Sequence, residues 1–393
     1  MMSRLQQLVS TRVSKSIDQI RAELFARIEE VQDEYAAKGW LPRRVNLNKG
    51  VVRGLLELYC WGIWQLYRLL EAILLQAFPR YATGDWQDVH SEQIGNDRLS
   101  ATKTAGTVDF LRNPSNNGNV RIPAGRIVRT KPDGLGNVYR YVTLIDAVLP
   151  QGADSIAVPC VAEEYGALSN AGPGQISELV TPVDGIIGVT NGADWITSEG
   201  ASEEADPAMQ RRYALSWEAL GGVTSAKYKS IALGIKGVVD VAIADQHPRG
   251  EGTIDIIIKG AAGIPTPKLI EDVTAAIDRE IVINHDRLVK GPTPVLVAVA
   301  YVLELLSGDE TATKLAAENH TRAVFSGTNP AIDGLSIGQD VIRDRLAAGI
   351  IILPGVKRIR WGGDLATGDI TIPFDGLAVL ASLDIQSEWE TEA

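Results

Sequence analysis

Apolar residues recur every three or four positions at the start of the chain: Leu5, Val9, Val13, Ile17, Ile20, Leu24, Ile28, Val31 and Tyr35. This spacing lays one narrow stripe along a helix, while Arg12, Lys15, Arg21, Glu23, Glu29 and Glu30 take the other faces. The pattern predicts one continuous helix from Leu5 to a stop near Gly39. Such length suits a helical bundle with partner chains, with packing against its own chain as the alternative.

Trp40-Leu41-Pro42 breaks the pattern, and a second apolar region runs from Val51 to Phe78-Pro79. Arg53, Glu57, Arg68 and Glu71 interrupt it, and its longest uncharged stretch, Leu58 to Tyr67, is about half of the roughly 20 residues a bilayer requires. The reading is a buried helix or helix pair and no membrane span. Trp40, Trp61, Trp64 and Trp86 concentrate half of the eight tryptophans here, as a large apolar core or interface would.

Between Asn113 and Gly200 stand twelve glycines and seven prolines, separating short β-type runs such as Val138 to Leu144 and Ser155 to Pro159. That density of turn residues predicts a compact antiparallel domain. A helix is expected from Asp206-Pro207, with proline in its first turn and Asp206 as cap, and another follows Gly221-Gly222, starting near Thr224.

The last third holds an internal echo. A helical run from Ala226 leads to Gly237-Val238, a turn and a strand at Gly252 to Ile258. Likewise Gln339 to Leu346 leads to Gly355-Val356, a turn and a strand at Gly368 to Ile372. Each unit has a later long strand candidate, Val295 to Leu305 in the first and Leu377 to Ile385 in the second. The fold class is therefore α+β multidomain: N-terminal helices (1–90), a β-rich antiparallel domain (91–205), and two C-terminal ferredoxin-like α+β modules (206–306 and 307–393).

With 393 residues, 45% of them hydrophobic, the chain has material for two or three cores. A formal charge of −11 opposes strong binding to nucleic acid. The local basic patch of Arg43, Arg44, Lys49 and Arg53 reads as a solvated face or protein contact. Cys60 and Cys160 lack CxxC spacing, so two buried free thiols and a reducing compartment are expected. The amino terminus lacks the apolar core of a secretory signal, which argues against export by that route.

Catalytic motifs are weak. Gly334-Leu335-Ser336-Ile337-Gly338 matches a nucleophile elbow, but no histidine follows Ser336, and Gln339 makes the pair a helix-starting capping box. His90, His247, His285 and His320 show no zinc-ligand spacing. Glu163-Glu164 and Glu203-Glu204 are adjacent carboxylates, not opposed ones. Gly134/Gly136 and Gly172/Gly174 complete no phosphate-binding loop and read as turn glycines.

One ordered series of signatures remains. It comprises Tyr81 to Gly84-Asp85-Trp86 and His90, Ile94-Gly95 to Arg98, Arg121-Ile122-Pro123-Ala124-Gly125 and Val158 to Gly166 and Asn170. It continues with Val189-Thr190-Asn191, Glu203 to Asp206 with Arg211-Arg212, Gly222-Val223-Thr224 and Gly237-Val238. In order and spacing this series resembles the baseplate J family, the wedge protein of Mu-type contractile phage tail baseplates, over residues 45–306.

The resemblance implies a structural protein with no catalytic, cofactor or metal residues. It would join copies of itself, other wedge proteins, the hub and sheath-initiating proteins into the ring around the tail tube, and transmit movement on contraction. The implied location is the virion tail baseplate, after synthesis in the host bacterial cytoplasm. Leu24, Ile28 and Val31 are the candidate bundle residues, and Trp61 and Trp64 the candidate core or interface residues. Gly125, Gly166, Gly222 and Gly237 would permit tight reversals, and Pro123 and Pro159 would protect strand edges. A peripheral receptor- or glycan-binding module is the alternative, and a cell-wall hydrolase the third reading.

Overall fold

Ser16 decides where the first long helix begins. In the computed structural model its hydroxyl accepts from the Gln19 amide and the Gln19 side chain accepts from the Ser16 amide at 2.9 Å, a capping box that opens α1 at Ile17–Ala37. The continuous helix expected from Leu5 is thus interrupted, because a capping serine takes extended backbone. The other end is as predicted. Gly39 at φ 74° carries a left-handed stop in which Trp40 N–H reaches Tyr35 O (2.9 Å) and Gly39 N–H reaches Ala36 O (3.1 Å).

The structure describes residues 7, 9, 10, 12–40, 46–132, 137–220, 222, 224–281, 285–327, 332 and 334–389. Leu5, Leu41, Pro42, Arg43, Arg44, Gly134, Gly136, Gly221 and Val223 lie outside them. Two compact units divide at Asp97/Arg98.

The first unit contains α1, α2 (Val51–Gln76) and α3 (Asp85–Glu92). The second begins with nine strands: β1 (Ala105–Arg112), β2 (Val120–Ile122), β3 (Ile127–Thr130), β4 (Arg140–Thr143), β5 (Ala147–Leu149), β6 (Ser155–Ala162), β7 (Ile176–Leu179), β8 (Ile186–Thr190) and β9 (Ile196–Ser198). One antiparallel sheet runs β7-β3-β4-β6-β1-β8, with β9 also on β1, while β2 pairs β5. Alternate residues point inward, and Val108, Phe110, Val128, Tyr141, Val158 and Ile176 fill the interior.

Asn191 draws the two ends of this sheet into a nearly closed barrel. Its Oδ1 accepts from Ile176 N–H (2.9 Å), its amide donates to Gly172 O (2.8 Å), and its carbonyl accepts from Gly174 N–H (2.9 Å). Pro159 lies in β6, an interior strand, rather than at the edge where it was expected. Its carbonyl faces Leu144 N–H, past the end of β4 pairing, so the β1 ladder does not need its missing N–H.

The central module follows with α4 (Asp206–Ala219), α5 (Ser225–Leu233), β10 (Val238–Ala244), β11 (Thr253–Gly260), α6 (Pro267–Asp278) and β12 (Asp286–Lys290). Ala205, not Asp206, is the N-cap of α4, and the Asp206 carboxylate accepts from Arg98 at 2.7 Å. The third module comprises β13 (Thr293–Leu305), α7 (Glu310–Ser326), α8 (Arg343–Ile351), β14 (Val356–Gly363) and β15 (Gly376–Trp389).

The α+β multidomain class holds, but among the described residues neither module has the four-stranded antiparallel sheet of a ferredoxin-like fold. Each sheet is three-stranded and mixed, in the orders β10-β11-β12 and β14-β13-β15, with β11–β12 and β13–β15 parallel. The strand at Val295 to Leu305, expected in the first module, is the centre of the last sheet. Gly291-Pro292 ends β12, and β13 buries Val297, Val299, Tyr301, Leu303 and Leu305 in the last module's core. Gly368 to Ile372 is not a strand and contributes one isolated bridge, Val341 to Ile370.

Two buried charged side chains staple the modules together. Glu199, at the barrel exit, accepts from Thr266 N–H (2.8 Å) and Ala262 N–H (3.2 Å), and Gly260 leaves the space its carboxylate occupies. Burial raises the Glu199 pKa despite those amides. Lys259 on β11 donates to Leu335 O at 2.7 Å, and Asp240 accepts from Ile337 N–H at 2.9 Å. Burial lowers the Lys259 pKa, opposed by Asp240.

Asn191→Ala is expected to destabilise the barrel by about 1–3 kcal/mol, since it strands buried backbone groups. Urea unfolding followed by tryptophan fluorescence tests this, and an unchanged midpoint would contradict the closure role.

Candidate assembly interface

α1 and α2 form an antiparallel pair held by charge on one side of α2. Arg21 Nε reaches Glu57 Oε2 at 2.8 Å, and Arg53 Nε reaches Glu57 Oε1 at 2.8 Å. The Arg53 guanidinium lies 4.8 Å from the Phe25 ring centre, and Lys15 lies 5.7 Å from that of Tyr67. The Arg21 hydrogen bond, joined by Arg53 and opposed by partial burial, holds the Glu57 carboxyl below its ordinary 4.5.

The opposite side of α2 is open. Val52, Leu55, Tyr59, Gly62, Leu66, Leu69 and Ile73 follow an unbroken 3-4 spacing, the geometry of a coiled-coil seam. Apart from Gly62, these residues expose 42–65% of their surface. The expectation that this region is buried is corrected, because Cys60 is the one buried residue on the helix. A helix this apolar, with α1 along one side, leaves its seam for something else to cover.

The residues singled out by sequence fall in two groups. Leu24 and Ile28 are half-buried and Val31 is buried on α1. Trp61 is exposed beside the seam, three residues after exposed Leu58. Trp64 is half-buried, with Arg68 5.8 Å from its ring centre. Trp40 and Trp86 are also exposed. The seam itself was missed, although its 3-4 spacing is legible in the chain.

Several of the signature residues hold turns and joints. His90 Nε2 lies 2.9 Å from Gln76 O, and Thr83 N–H donates to the Gln76 side chain at 2.8 Å, folding α3 back on the end of α2. Asn170 accepts from Thr104 Oγ1 (2.7 Å) and Gly200 N–H (2.9 Å) and donates to Gly200 O (2.8 Å). Gly166 and Gly237, at φ 119° and 98°, hold conformations other residues avoid. Glu204 and Arg212 form a two-pronged pair at 2.6 and 2.9 Å with both side chains buried.

Ser336 is exposed in a turn, and α8 begins only at Arg343, so the expected helix-starting box is half formed: Gln339 Oε1 accepts from Ser336 N–H at 2.8 Å. Gly338, at φ 69°, prevents a helix there. Cys60 and Cys160 are buried free thiols, and burial pushes Cys160 up to about 12. In a cleft of about 380 Å³ on the central module, His285 bonds the Tyr228 hydroxyl at 2.8 Å, and His247 accepts from Gly252 N–H at 3.3 Å. Among the described residues no His, Cys, Asp and Glu cluster gathers to hold a metal ion, and no helix is long and apolar enough to cross a membrane.

A barrel whose entry and exit run together, followed by a mixed α+β module, defines the class. Residues 101–198 match the baseplate J-like barrel domain, and residues 221–302 match the baseplate J-like central domain. Over those residues the chain carries the barrel and central domains of the baseplate J family. A protein of Haemophilus phage HP1 (strain HP1c1), whose name calls it baseplate protein gp29, is 26% identical over 220 residues, covering 55% of this chain and 56% of that one. The match thus spans about half the length of that relative. A chain of the anti-feeding prophage baseplate, solved by cryo-EM with 6-fold symmetrisation, aligns over 90% of each chain with a TM-score of 0.36 and 13% identity.

Because the Glu57 carboxyl titrates below its unfolded value, its contribution to the α1–α2 pair is full above 4.5 and is lost as pH falls through the lowered folded value. Helix content followed by circular dichroism from pH 7 to 2 is expected to show this acid loss, and Glu57→Gln to flatten it. An identical acid profile in the variant would remove Glu57 from the account.

Proposed function

We propose that this chain is a structural wedge protein of a contractile tail baseplate or related injection machine. It links subunits into the ring around the tail tube and passes on conformational change during contraction. The observation that carries the reading is the uncovered seam of α2, on a chain whose barrel and central module are of the baseplate J type. An uncharged 3-4 seam fits helices of neighbouring chains, as in any helical bundle.

In this reading α1 and α2 bundle with partner wedge chains, Trp61 widens the contact beside the seam, and Leu24, Ile28, Val31 and Trp64 brace the pair from within. Further copies of the chain, the hub and sheath-initiating proteins are the remaining partners, and the site of action is the virion tail after assembly in the host cytoplasm. The role calls for no turnover and no cofactor.

Quantitative mass spectrometry of purified particles is expected to give a copy number that is a multiple of six. Absence from the particle, or a threefold number matching a spike or fibre, would sink the wedge assignment and favour a peripheral binding module. Leu66→Glu, on the exposed seam, is expected to leave the circular dichroism of the free chain unchanged and to abolish its incorporation. Normal incorporation of a folded L66E chain would discard the seam as the contact.

A further inference from the structure

The barrel is inserted through a two-chain stalk, and the stalk is bolted at its outer end. The β1–β9 pairing of Ala105 with Ser198 is continued outward by Thr102 N–H to Ala201 O (2.8 Å) and Glu204 N–H to Leu99 O (2.9 Å). Thr102 Oγ1 accepts from Ala201 N–H at 2.9 Å, and Gly200 packs so tightly that a Cβ would stand 2.4 Å from Thr104 Oγ1. Entry and exit therefore leave the barrel side by side and antiparallel.

At the open end of this stalk the backbone ladder gives way to charge. Arg98 donates to Glu204 O (2.6 Å) and to the Asp206 carboxylate (2.7 Å), and Glu204 also accepts from Leu99 N–H (3.2 Å). The Glu204 carboxylate is gripped in turn by Arg212, on α4. Lys236, just before β10, adds a bond to Ser100 Oγ at 2.7 Å. The residue at which the chain enters this unit is thus tied by side chains to the first turns of α4, although the barrel lies between them in sequence.

We propose that this cluster is a mechanical clamp. Tension arriving along the chain at Arg98 passes through Arg98, Glu204 and Arg212 into α4 and the central module, and the barrel hangs outside the line of force. An antiparallel stalk pulled at its open end separates one bond at a time, so resistance must be concentrated at that end, where the buried pair sits. The barrel is then free to hold its shape while the elements on either side of it are pulled. The value of such a clamp to a contracting ring rests on the proposed function, but the clamp is testable on the isolated chain.

The test is optical-tweezers stretching of the full chain between its two termini. Opening of the stalk releases the barrel, with a gain in contour length of about 35 nm from its fully extended chain. A Ser100→Cys/Glu203→Cys double variant identifies that step, which should vanish on oxidation and return on reduction. Arg98→Ala and Glu204→Gln are expected to move the step to lower force and leave the other steps where they were. If either variant folds poorly, Arg98→Lys, which keeps the charge and loses the two-way grip, should give an intermediate force. A barrel step at the same force in wild type and in these variants would overturn the clamp. Lowered force combined with absence of the chain from purified particles would keep the clamp and reject the wedge role.

Discussion

The buried pair of Glu204 with Arg212 is the constraint on which the second unit depends. Two charges removed from water are tolerated only when their geometry is good and their remaining hydrogen-bonding capacity is used. Here the guanidinium meets both carboxylate oxygens, and Leu99 N–H takes up one of them as well. Those demands fix α4 against the barrel's exit and fix the barrel's entry against both. Breaking one partner would leave the other charge buried, a loss of about 3–5 kcal/mol, so the arrangement is sharply specified.

The same device recurs at the other joints in different chemistry. Glu199 reaches the loop that leads into α6, and Lys259 reaches the loop that precedes α8. Each joins modules through a buried charged group bonded to backbone, which defines position more tightly than an apolar contact of the same area. Lys259 and Gly260 are neighbours on β11, so the central strand of the central module is the place where both joints meet. The second unit is therefore three small cores held in register by a few directional bonds.

Much of this was legible in the sequence, and what was not has physical causes. The antiparallel character of the β-rich domain followed from turn density, though its closure into a barrel did not, and the α+β character of the last third followed from its helix and strand periods. Strand pairing did not follow, because periodicity reports which face of a strand is buried and not which neighbour it pairs. For that reason β13 was placed in the wrong sheet. Two Ser-x-x-Gln motifs illustrate a second limit. Ser16 to Gln19 starts a helix, while Ser336 to Gln339 stops at a turn, because Gly338 takes a left-handed conformation between them. On α2, Arg53, Glu57, Arg68 and Glu71 interrupt the apolar run, and all four lie off the 3-4 seam. Placed on a helical wheel, they mark the face toward α1 and its flanks, and so reveal the open one.

The seam's magnitude bears on how such a chain would assemble. Burying a large apolar side chain fully is worth about 1.5–3 kcal/mol, and the six large seam residues are already about half covered, so one seam offers on the order of 5–10 kcal/mol. Bringing two proteins together costs about 4–15 kcal/mol in lost freedom. A single helix contact is therefore near balance and does not by itself hold two free chains together. In a ring the second contact is made at high effective concentration, and the same seam becomes decisive once neighbours are in place. On the proposed function, a weak seam on one unit and a tightly bolted second unit would be complementary: the first would let assembly wait for partners, and the second would ensure that what assembles has one shape.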